Sequence, residues 1–234
     1  MEEKKIDITL KNNLQIVKEN IRLALDKVGR EDLVKLIAVT KTQDLEMVKY
    51  LIDLGVKDIG ENRVQDLVKR KEDIGDIVNY HMIGHLQSNK VNDIIGYITL
   101  LHSLDRLTLA KELNKRAIAE NKTVHVLIQV NVAEEKSKFG FKVSEVLPFI
   151  EKIADYEHIK IKGLMTMAPF TDDEILLRSV FRNMKVLKDD IAKRNYQNVS
   201  MDYLSMGMTN DYEIAIEEGS NMVRVGTGIF GDRN

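Results

Sequence analysis

Apolar positions in the first thirty residues recur at helical spacing. Leucine, valine and isoleucine side chains follow one another every three or four residues from Leu10 to Val28, which places them on one face of a helix. Gly29 comes directly afterwards, where the end of a helix favours a left-handed residue. The pattern predicts an amino-terminal helix over residues 1–30 that packs by its apolar face on the rest of the chain.

From residue 36 onward, short apolar runs alternate with longer amphipathic segments. Eight runs have the length of strands, at 36–40, 58–61, 80–84, 99–104, 124–131, 159–167, 203–208 and 222–227. The run Ile37-Ala38-Val39 is apolar at successive positions, as a strand covered on both faces requires. Eight strands separated by helices predict an α/β fold, a (β/α)8 TIM-type barrel. The alternative, an open doubly wound sheet, has fewer strands and a glycine-rich first turn that this chain lacks.

Composition narrows the class of protein. A length of 234 residues fits one barrel domain over residues 31–234 after the helix. The net charge of −2 argues against a nucleic-acid partner, and the absence of cysteine excludes thiol chemistry and disulfides. The charged start has no apolar segment behind it, and no window reaches the length of a membrane span. We therefore expect a cytoplasmic protein without a membrane partner.

Lys41 is the most unusual residue at the predicted strand ends, where barrels of this kind carry their active sites. Partial burial at a barrel mouth lowers the pKa of a lysine amine, since desolvation penalises the charged form. A neutral amine attacks aldehydes, so Lys41 is a candidate Schiff-base lysine. The alternative is a structural lysine paired with Glu61 or Asp105, and position alone favours that alternative.

The residues at the ends of strands seven and eight favour the Schiff-base role of Lys41 over the structural one. Ser205 offers a hydroxyl, and the turn at Gly226 and Thr227 offers backbone N–H groups, so together they predict a phosphate site at the loops where barrels often hold phosphate. Arg224 shares the parity of Gly226 on strand eight, which closes against strand one and therefore lies beside Lys41. A buried arginine needs a partner such as a phosphate or an aromatic ring nitrogen. An aldehyde-reactive amine, an anion site and an arginine at one mouth suggest pyridoxal 5'-phosphate (PLP).

The histidines and two further lysines carry weaker signals. His81 and His85 are four residues apart, but the pattern places His81 in strand three and His85 at the start of the next helix, so we predict no metal site. Lys136 and Lys138 in the loop after strand five are expected to be exposed, with a secondary docking point for an aldehyde as the alternative. Three histidines stand alone in the sequence and are expected to be structural: His102, His125 and His158.

Seven motifs in order resemble those of the pyridoxal phosphate homeostasis proteins, which share the barrel of the alanine racemase N-terminal domain. The match covers about residues 36–231 and rests on these segments: Ala-Val-Thr-Lys (38–41), Gly-Glu-Asn-Arg-Val-Gln (60–65), His-Met-Ile-Gly-His-Leu-Gln-Ser-Asn-Lys (81–90), Ser-Lys-Phe-Gly (137–140), Gly-Leu-Met-Thr-Met (163–167), Leu-Ser-Met-Gly-Met-Thr-Asn-Asp (204–211) and Val-Arg-Val-Gly-Thr-Gly-Ile-Phe-Gly (223–231). No single motif is specific, whereas the ordered set is.

The resemblance implies a role for each candidate residue. Lys41 would hold PLP covalently as an internal aldimine. Arg224 would face the pyridine nitrogen, and Asn62 would lie beside the ring. The phosphate would be held by Ser205, Gly226 and Thr227.

The resemblance also implies a PLP carrier or regulator in vitamin B6 homeostasis that holds PLP without notable turnover. An arginine at the pyridine nitrogen keeps its own proton, so the ring is a weak electron sink. Alanine racemase places an imidazole where this chain has Met165-Thr166-Met167, and it adds a carboxyl-terminal domain, whereas this chain ends about seven residues after strand eight. We therefore predict a monomer that supplies PLP-dependent apo-enzymes. The alternatives are a PLP-dependent amino-acid racemase and a Schiff-base aldolase.

Overall fold

Eight parallel strands close into a barrel in the computed structural model, which describes residues 2–135 and 137–231. Each strand pairs with the next, and the eighth pairs with the first, which confirms the predicted (β/α)8 fold. The strands are β1 (Lys35–Val39), β2 (Asp58–Glu61), β3 (Asn79–Met82), β4 (Leu100–Leu104), β5 (Val124–Gln129), β6 (Ile159–Met165), β7 (Val199–Ser205) and β8 (Met222–Val225). The helices are α1 (Glu2–Lys27), α2 (Leu45–Asp53), α3 (Val64–Ile74), α4 (Leu107–Ala119), α5 (Val143–Lys152), α6 (Glu174–Ala192), α7 (Tyr212–Glu217) and α8 (Thr227–Phe230).

The amino-terminal helix α1 packs on the outside of the barrel, at α7 and α8. It buries the apolar face that the spacing predicts, including Leu10, Leu14 and Val17. The helix ends at Lys27, and Gly29 adopts the left-handed φ of 66° expected after a helix. None of the described helices is long and apolar enough to span a membrane. The division of the chain at residue 30 stays a prediction.

Two elements differ from the predicted pattern. Strand β7 begins at Val199, before the predicted start at residue 203. In its first half polar and apolar residues alternate, and Asp202 pairs with Lys162 at 3.2 Å. This half therefore shows no continuous apolar run. After β3 the chain forms a short 3-10 helix, Ser88–Asp93, in place of the predicted helix. Serine, asparagine and aspartate side chains compete for backbone hydrogen bonds, which weakens a regular helix there.

The barrel interior combines apolar and polar side chains. The apolar cluster consists of Ile37, Leu100, Leu127, Met165 and Met222. The buried polar side chains include His81, His102, Ser205 and Arg224. Branched apolar residues generally fill barrels of this type. The polar set must therefore satisfy its hydrogen-bonding groups internally or at a cavity.

Candidate active site

A cavity of about 570 Å³ opens at the carboxyl end of the barrel. It brings together four of the six predicted site residues: Lys41, Arg224, Gly226 and Thr227. The other two, Asn62 and Ser205, do not line it. Asn62 is exposed beyond the end of β2, and Ser205 is fully buried behind Arg224.

The side chain of Lys41 is exposed, so the expectation of a partly buried amine is wrong for this structure. The residue lies beyond the last residue of β1, at the rim of the cavity. The proposed carboxylate partners are engaged elsewhere. Glu61 accepts a hydrogen bond of 2.6 Å from Thr40, and Asp105 lies 2.8 Å from a ring nitrogen of His85. Within residues 2–135 and 137–231, no acceptor binds the amine of Lys41, which leaves it available to a ligand.

A buried arginine fixes the backbone on both sides of Lys41. Arg70 of α3 donates hydrogen bonds to the carbonyl oxygens of Thr40 and Gln43, and its Nε lies 3.3 Å from Glu61. Burial raises the pKa of Glu61, although the hydrogen bond from Thr40 and the charge of Arg70 oppose the shift. The second oxygen of Glu61, Oε2, is buried without a hydrogen-bond partner. Arg70 therefore holds the loop that presents the amine.

Arg224 provides the second charged group of the cavity. Its Nη1 donates to the hydroxyl of Ser205 at 2.5 Å, and its Nη2 donates to the carbonyl oxygen of Thr166 at 2.9 Å. Burial lowers the pKa of Arg224 to about 10, against the attraction of Asp211, so the side chain stays charged at neutral pH. Guanidinium carries five N–H donors, and no further acceptor binds them among the residues that the structure describes. An acceptor in the cavity would complete their hydrogen bonding.

The depth of Arg224 corrects its predicted position. In the register of β1 and β8, Arg224 lies opposite Ile37, not beside Lys41. Gly226 is the residue at the level of the strand end, and the β-carbon of Val39 lies 3.4 Å from an ideal β-carbon placed there. The guanidinium is thus at the bottom of the cavity and the amine at its rim.

The structure assigns the hydroxyl groups differently from the sequence. Ser205 accepts from Arg224 and lies 3.1 Å from Nδ1 of His102, so its hydroxyl is used inside the barrel. Thr209, which the sequence reasoning missed, lines the cavity instead. Its Oγ1 accepts from the N–H of Gly228 at 3.1 Å, which leaves its own hydroxyl proton free for a ligand. The signal for Thr209 was its place in the loop after strand seven, a common phosphate-binding loop.

Asp211 brings a carboxylate to the same cavity. Burial raises its pKa, whereas the hydrogen bond from the N–H of Met208 and the charge of Arg224 oppose the shift. That hydrogen bond measures 2.6 Å. The N–H groups of Met208 and Gly228 are therefore already bound, so a ligand anion would use other donors, among them the hydroxyl of Thr209 and the backbone at Gly226 and Thr227.

Other candidates from the sequence contact different partners. His102 is not isolated, because its Nε2 lies 3.0 Å from Nδ1 of His81. His85 does not begin a helix; it stacks on Phe139 with ring centroids 4.0 Å apart. Lys138 is half-buried, not exposed, and donates to the carbonyl oxygen of Ala168 at 2.8 Å. Lys136 lies outside the described residues. Among those described, no group of three His, Asp or Glu side chains is arranged to hold a metal ion.

Comparison with known proteins defines the class of barrel. Residues 12–234 match the family model of the alanine racemase N-terminal domain. A protein from Bifidobacterium adolescentis has the same fold, with a TM-score of 0.90 and 34% identity over 97% of this chain and 96% of that one. Alanine racemase from Clostridium difficile superimposes with a TM-score of 0.71 at 18% identity, over 92% of this chain and 56% of its own. The fold is that of the alanine racemase N-terminal domain.

Two curated relatives define the family. A protein from Aquifex aeolicus is 40% identical over 222 residues, 94% of this chain and 96% of its own, and one from Pasteurella multocida is 36% identical over 231 residues, 97% and 99%. Both are named pyridoxal phosphate homeostasis protein. The chain therefore belongs to the family of pyridoxal phosphate homeostasis proteins. PipY of Synechococcus elongatus, solved with PLP bound, shares the fold at a TM-score of 0.83 and 24% identity, over 95% of this chain and all of its own.

Proposed function

We propose that this chain binds PLP in the cavity at the carboxyl end of its barrel and serves PLP homeostasis. One observation carries the proposal: the cavity holds an unpaired amine, Lys41, at its rim and a charged guanidinium with unused donors, Arg224, at its base. PLP has the complementary groups, an aldehyde and a ring nitrogen on one small aromatic molecule. The names of the curated relatives support the same ligand.

The residues present fit the ligand group by group. The amine of Lys41 condenses with the aldehyde, so that a C=N bond forms and one water molecule leaves. The ring nitrogen accepts a hydrogen bond from Arg224. The phosphate accepts from the hydroxyls of Thr209 and Thr227 and from the backbone at Gly226. Asn62 beside the ring stays a prediction from the resemblance.

We further propose that the bound PLP undergoes no notable turnover. Racemisation requires acid–base groups positioned at the reacting carbon. Among the described residues that line the cavity, Asp211 is the one titratable side chain besides Lys41 and Arg224, and it already accepts from the N–H of Met208. Arg224 retains its proton at neutral pH, which leaves the ring nitrogen unprotonated and the ring a weak electron sink. A PLP-dependent racemase or another Schiff-base enzyme is the alternative.

A role in PLP homeostasis requires proteins that receive the bound PLP. A Schiff base on an exposed lysine is open to water and to other amines, which favours reversible loading. We propose that the chain acts as a monomer and supplies PLP to PLP-dependent apo-enzymes.

Titration of the protein with PLP tests the proposal. We expect a yellow protein that bleaches with borohydride and, after digestion, carries the reduced label on the peptide containing Lys41. An alanine racemisation assay on the same sample should show no turnover above free PLP. A colourless protein, or a label on another lysine, would contradict the site, and measurable racemisation would favour the enzyme.

A further inference from the structure

A chain of buried hydrogen bonds continues from Arg224 through the barrel. Ser205 lies 3.1 Å from Nδ1 of His102, whose Nε2 lies 3.0 Å from Nδ1 of His81. Nε2 of His81 is in turn 2.9 Å from Oδ1 of Asp58. Strands β4 and β7 are not neighbours in the wall, so the bond from His102 to Ser205 crosses the interior. This series of hydrogen bonds runs from the cavity to Asp58, the first residue of β2, at the opposite end of the barrel.

The charges at the two ends are opposite, and the groups between them are neutral. Burial lowers the pKa of His81, against its hydrogen bond to Asp58. The pKa of His102 lies well below its ordinary value because of burial and the nearby His81 and Arg224. Burial raises the pKa of Asp58, but the hydrogen bond from His81 and the charge of Lys35 outweigh it, so the net pKa is lowered. Each histidine thus carries one ring proton at neutral pH, and Asp58 is a carboxylate.

Only one arrangement of protons satisfies every link of this chain. A carboxylate accepts but does not donate, so Nε2 of His81 carries its proton and donates to Asp58. The bare Nδ1 of His81 accepts from Nε2 of His102. The bare Nδ1 of His102 then accepts from the hydroxyl of Ser205. The oxygen of Ser205 consequently accepts from Arg224, and all donors point towards Asp58.

We propose that Asp58, His81, His102 and Ser205 are positioning residues that orient the guanidinium of Arg224. The inference rests on the proposed function, because it assigns these residues to the recognition of the PLP ring. The guanidinium is held by the hydroxyl of Ser205 and the carbonyl oxygen of Thr166, so its remaining N–H groups are the donors that the base of the cavity presents. The network therefore selects a ligand with an acceptor at this point, such as an unprotonated aromatic nitrogen.

Nitrogen-15 NMR of the histidine rings tests the proton arrangement in the protein without PLP. At neutral pH we expect His81 and His102 to be neutral, each protonated at Nε2, with the signals assigned from single-histidine variants. A ring protonated at Nδ1, or a doubly protonated ring, at either position would overturn the arrangement. This result does not depend on whether the protein binds PLP.

Substitution of His102 tests the positioning role. In His102→Leu, Ser205 loses its acceptor, so we expect PLP affinity to fall about tenfold or more and the visible band to shift. His102→Gln should recover part of both, since an amide both accepts and donates. His125→Leu is the matched control, because His125 lines the amino-terminal cavity beside His81 but has no place in the chain. It should bind PLP like the wild type.

The outcomes separate the two proposals. If the wild type does not bind PLP, the proposed function fails, and the NMR experiment still decides the proton arrangement. If the wild type binds and His102→Leu has the same affinity and spectrum, the positioning role is wrong. Ser205→Ala interrupts the same chain with a smaller change and replaces His102→Leu if circular dichroism shows that the latter is unfolded.

Discussion

The first strand carries a lysine near each of its ends, and the two contact their surroundings differently. Lys35, at the amino end, is half-buried and pairs with Asp58 at 3.2 Å. Lys41, past the carboxyl end, is exposed and has no partner for its amine within the described residues. A lysine that is already paired contributes to structure, whereas an unpaired one at a cavity is free to react. The difference between the two lies in the partner and not in the residue type.

Replacing each lysine in turn gives the largest expected contrast. Lys41→Ala should abolish the visible band of the PLP complex, because no other described lysine amine lines the cavity. Lys35→Ala should keep the band. Absorbance titration with PLP measures both, and circular dichroism checks that each variant is folded. A band that persists in Lys41→Ala would move the covalent site to another lysine.

The loop around Lys41 is held by a buried ion pair, whereas the pair at Lys35 is partly exposed. Arg70→Met should reduce the free energy of unfolding by about 3–5 kcal/mol, because it leaves the carboxylate of Glu61 buried without a cation. Lys35→Met should cost no more than about 1 kcal/mol. Urea denaturation measures both.

A double variant separates charge burial from simple loss of packing. Adding Glu61→Gln to Arg70→Met removes the uncompensated charge and should recover part of the stability. If the double variant is no more stable than Arg70→Met, the ion pair is not the origin of the effect. Equal losses in Arg70→Met and Lys35→Met would remove the contrast between the two ends.

The buried histidines make stability depend on pH. Both His81 and His102 have pKa values below the ordinary 6.5, so below about pH 6.5 the unfolded chain binds protons that the folded barrel does not. The free energy of unfolding therefore has its full value above that pH. At lower pH it decreases, by at most about 2.7 kcal/mol per pH unit for two protons. Urea denaturation between pH 5 and 8 measures the slope. The groups that face the rings are Lys35, Asp58 and Arg224.

A pair of variants checks the source of that slope. His102→Gln should flatten it, because one of the two protons no longer contributes. His158→Gln replaces a half-buried histidine outside the buried network and serves as the comparison. A slope that is the same in all three proteins would place its origin elsewhere.

The smallest expected effect concerns the hydroxyl of Thr209, which lines the cavity. Thr209→Val keeps the shape of the side chain and should weaken PLP binding by about 1–3 kcal/mol, because a phosphate oxygen loses its donor. Thr209→Ser should bind like the wild type. Equilibrium dialysis measures each affinity. Unchanged affinity in Thr209→Val would show that the hydroxyl of Thr209 does not bind the phosphate.

Most strands and helices could be predicted from the spacing of apolar residues, because a strand covered on both faces shows a short continuous apolar run. The first half of β7 did not, since Asp202 pairs with Lys162 where the strand leaves the core. Lys41 and Arg224 were predicted to share one mouth because the strand ends of a barrel meet there, and both line the cavity. Thr209 was missed because strand parity cannot show where a loop turns back.

The hydrogen bond between His102 and Ser205 was beyond sequence reasoning for a different reason. The two residues are 103 positions apart and lie on strands that do not pair, so no local pattern connects them. A single sequence shows which residues share a strand face, but not which ones meet across the interior. The expectation that His102 is structural therefore left its partners unnamed.

The cavity proposed to bind PLP lies on the seam where the last strand closes against the first. Its amine follows β1, and its guanidinium lies on β8, so almost the whole chain separates them. A nascent chain leaving the ribosome, at about 5–20 residues per second, carries the amine for most of synthesis without the opposing arginine. If the cavity binds PLP as proposed, the ligand consequently meets its complete site only after the last strand has closed, too late to guide the early steps of folding.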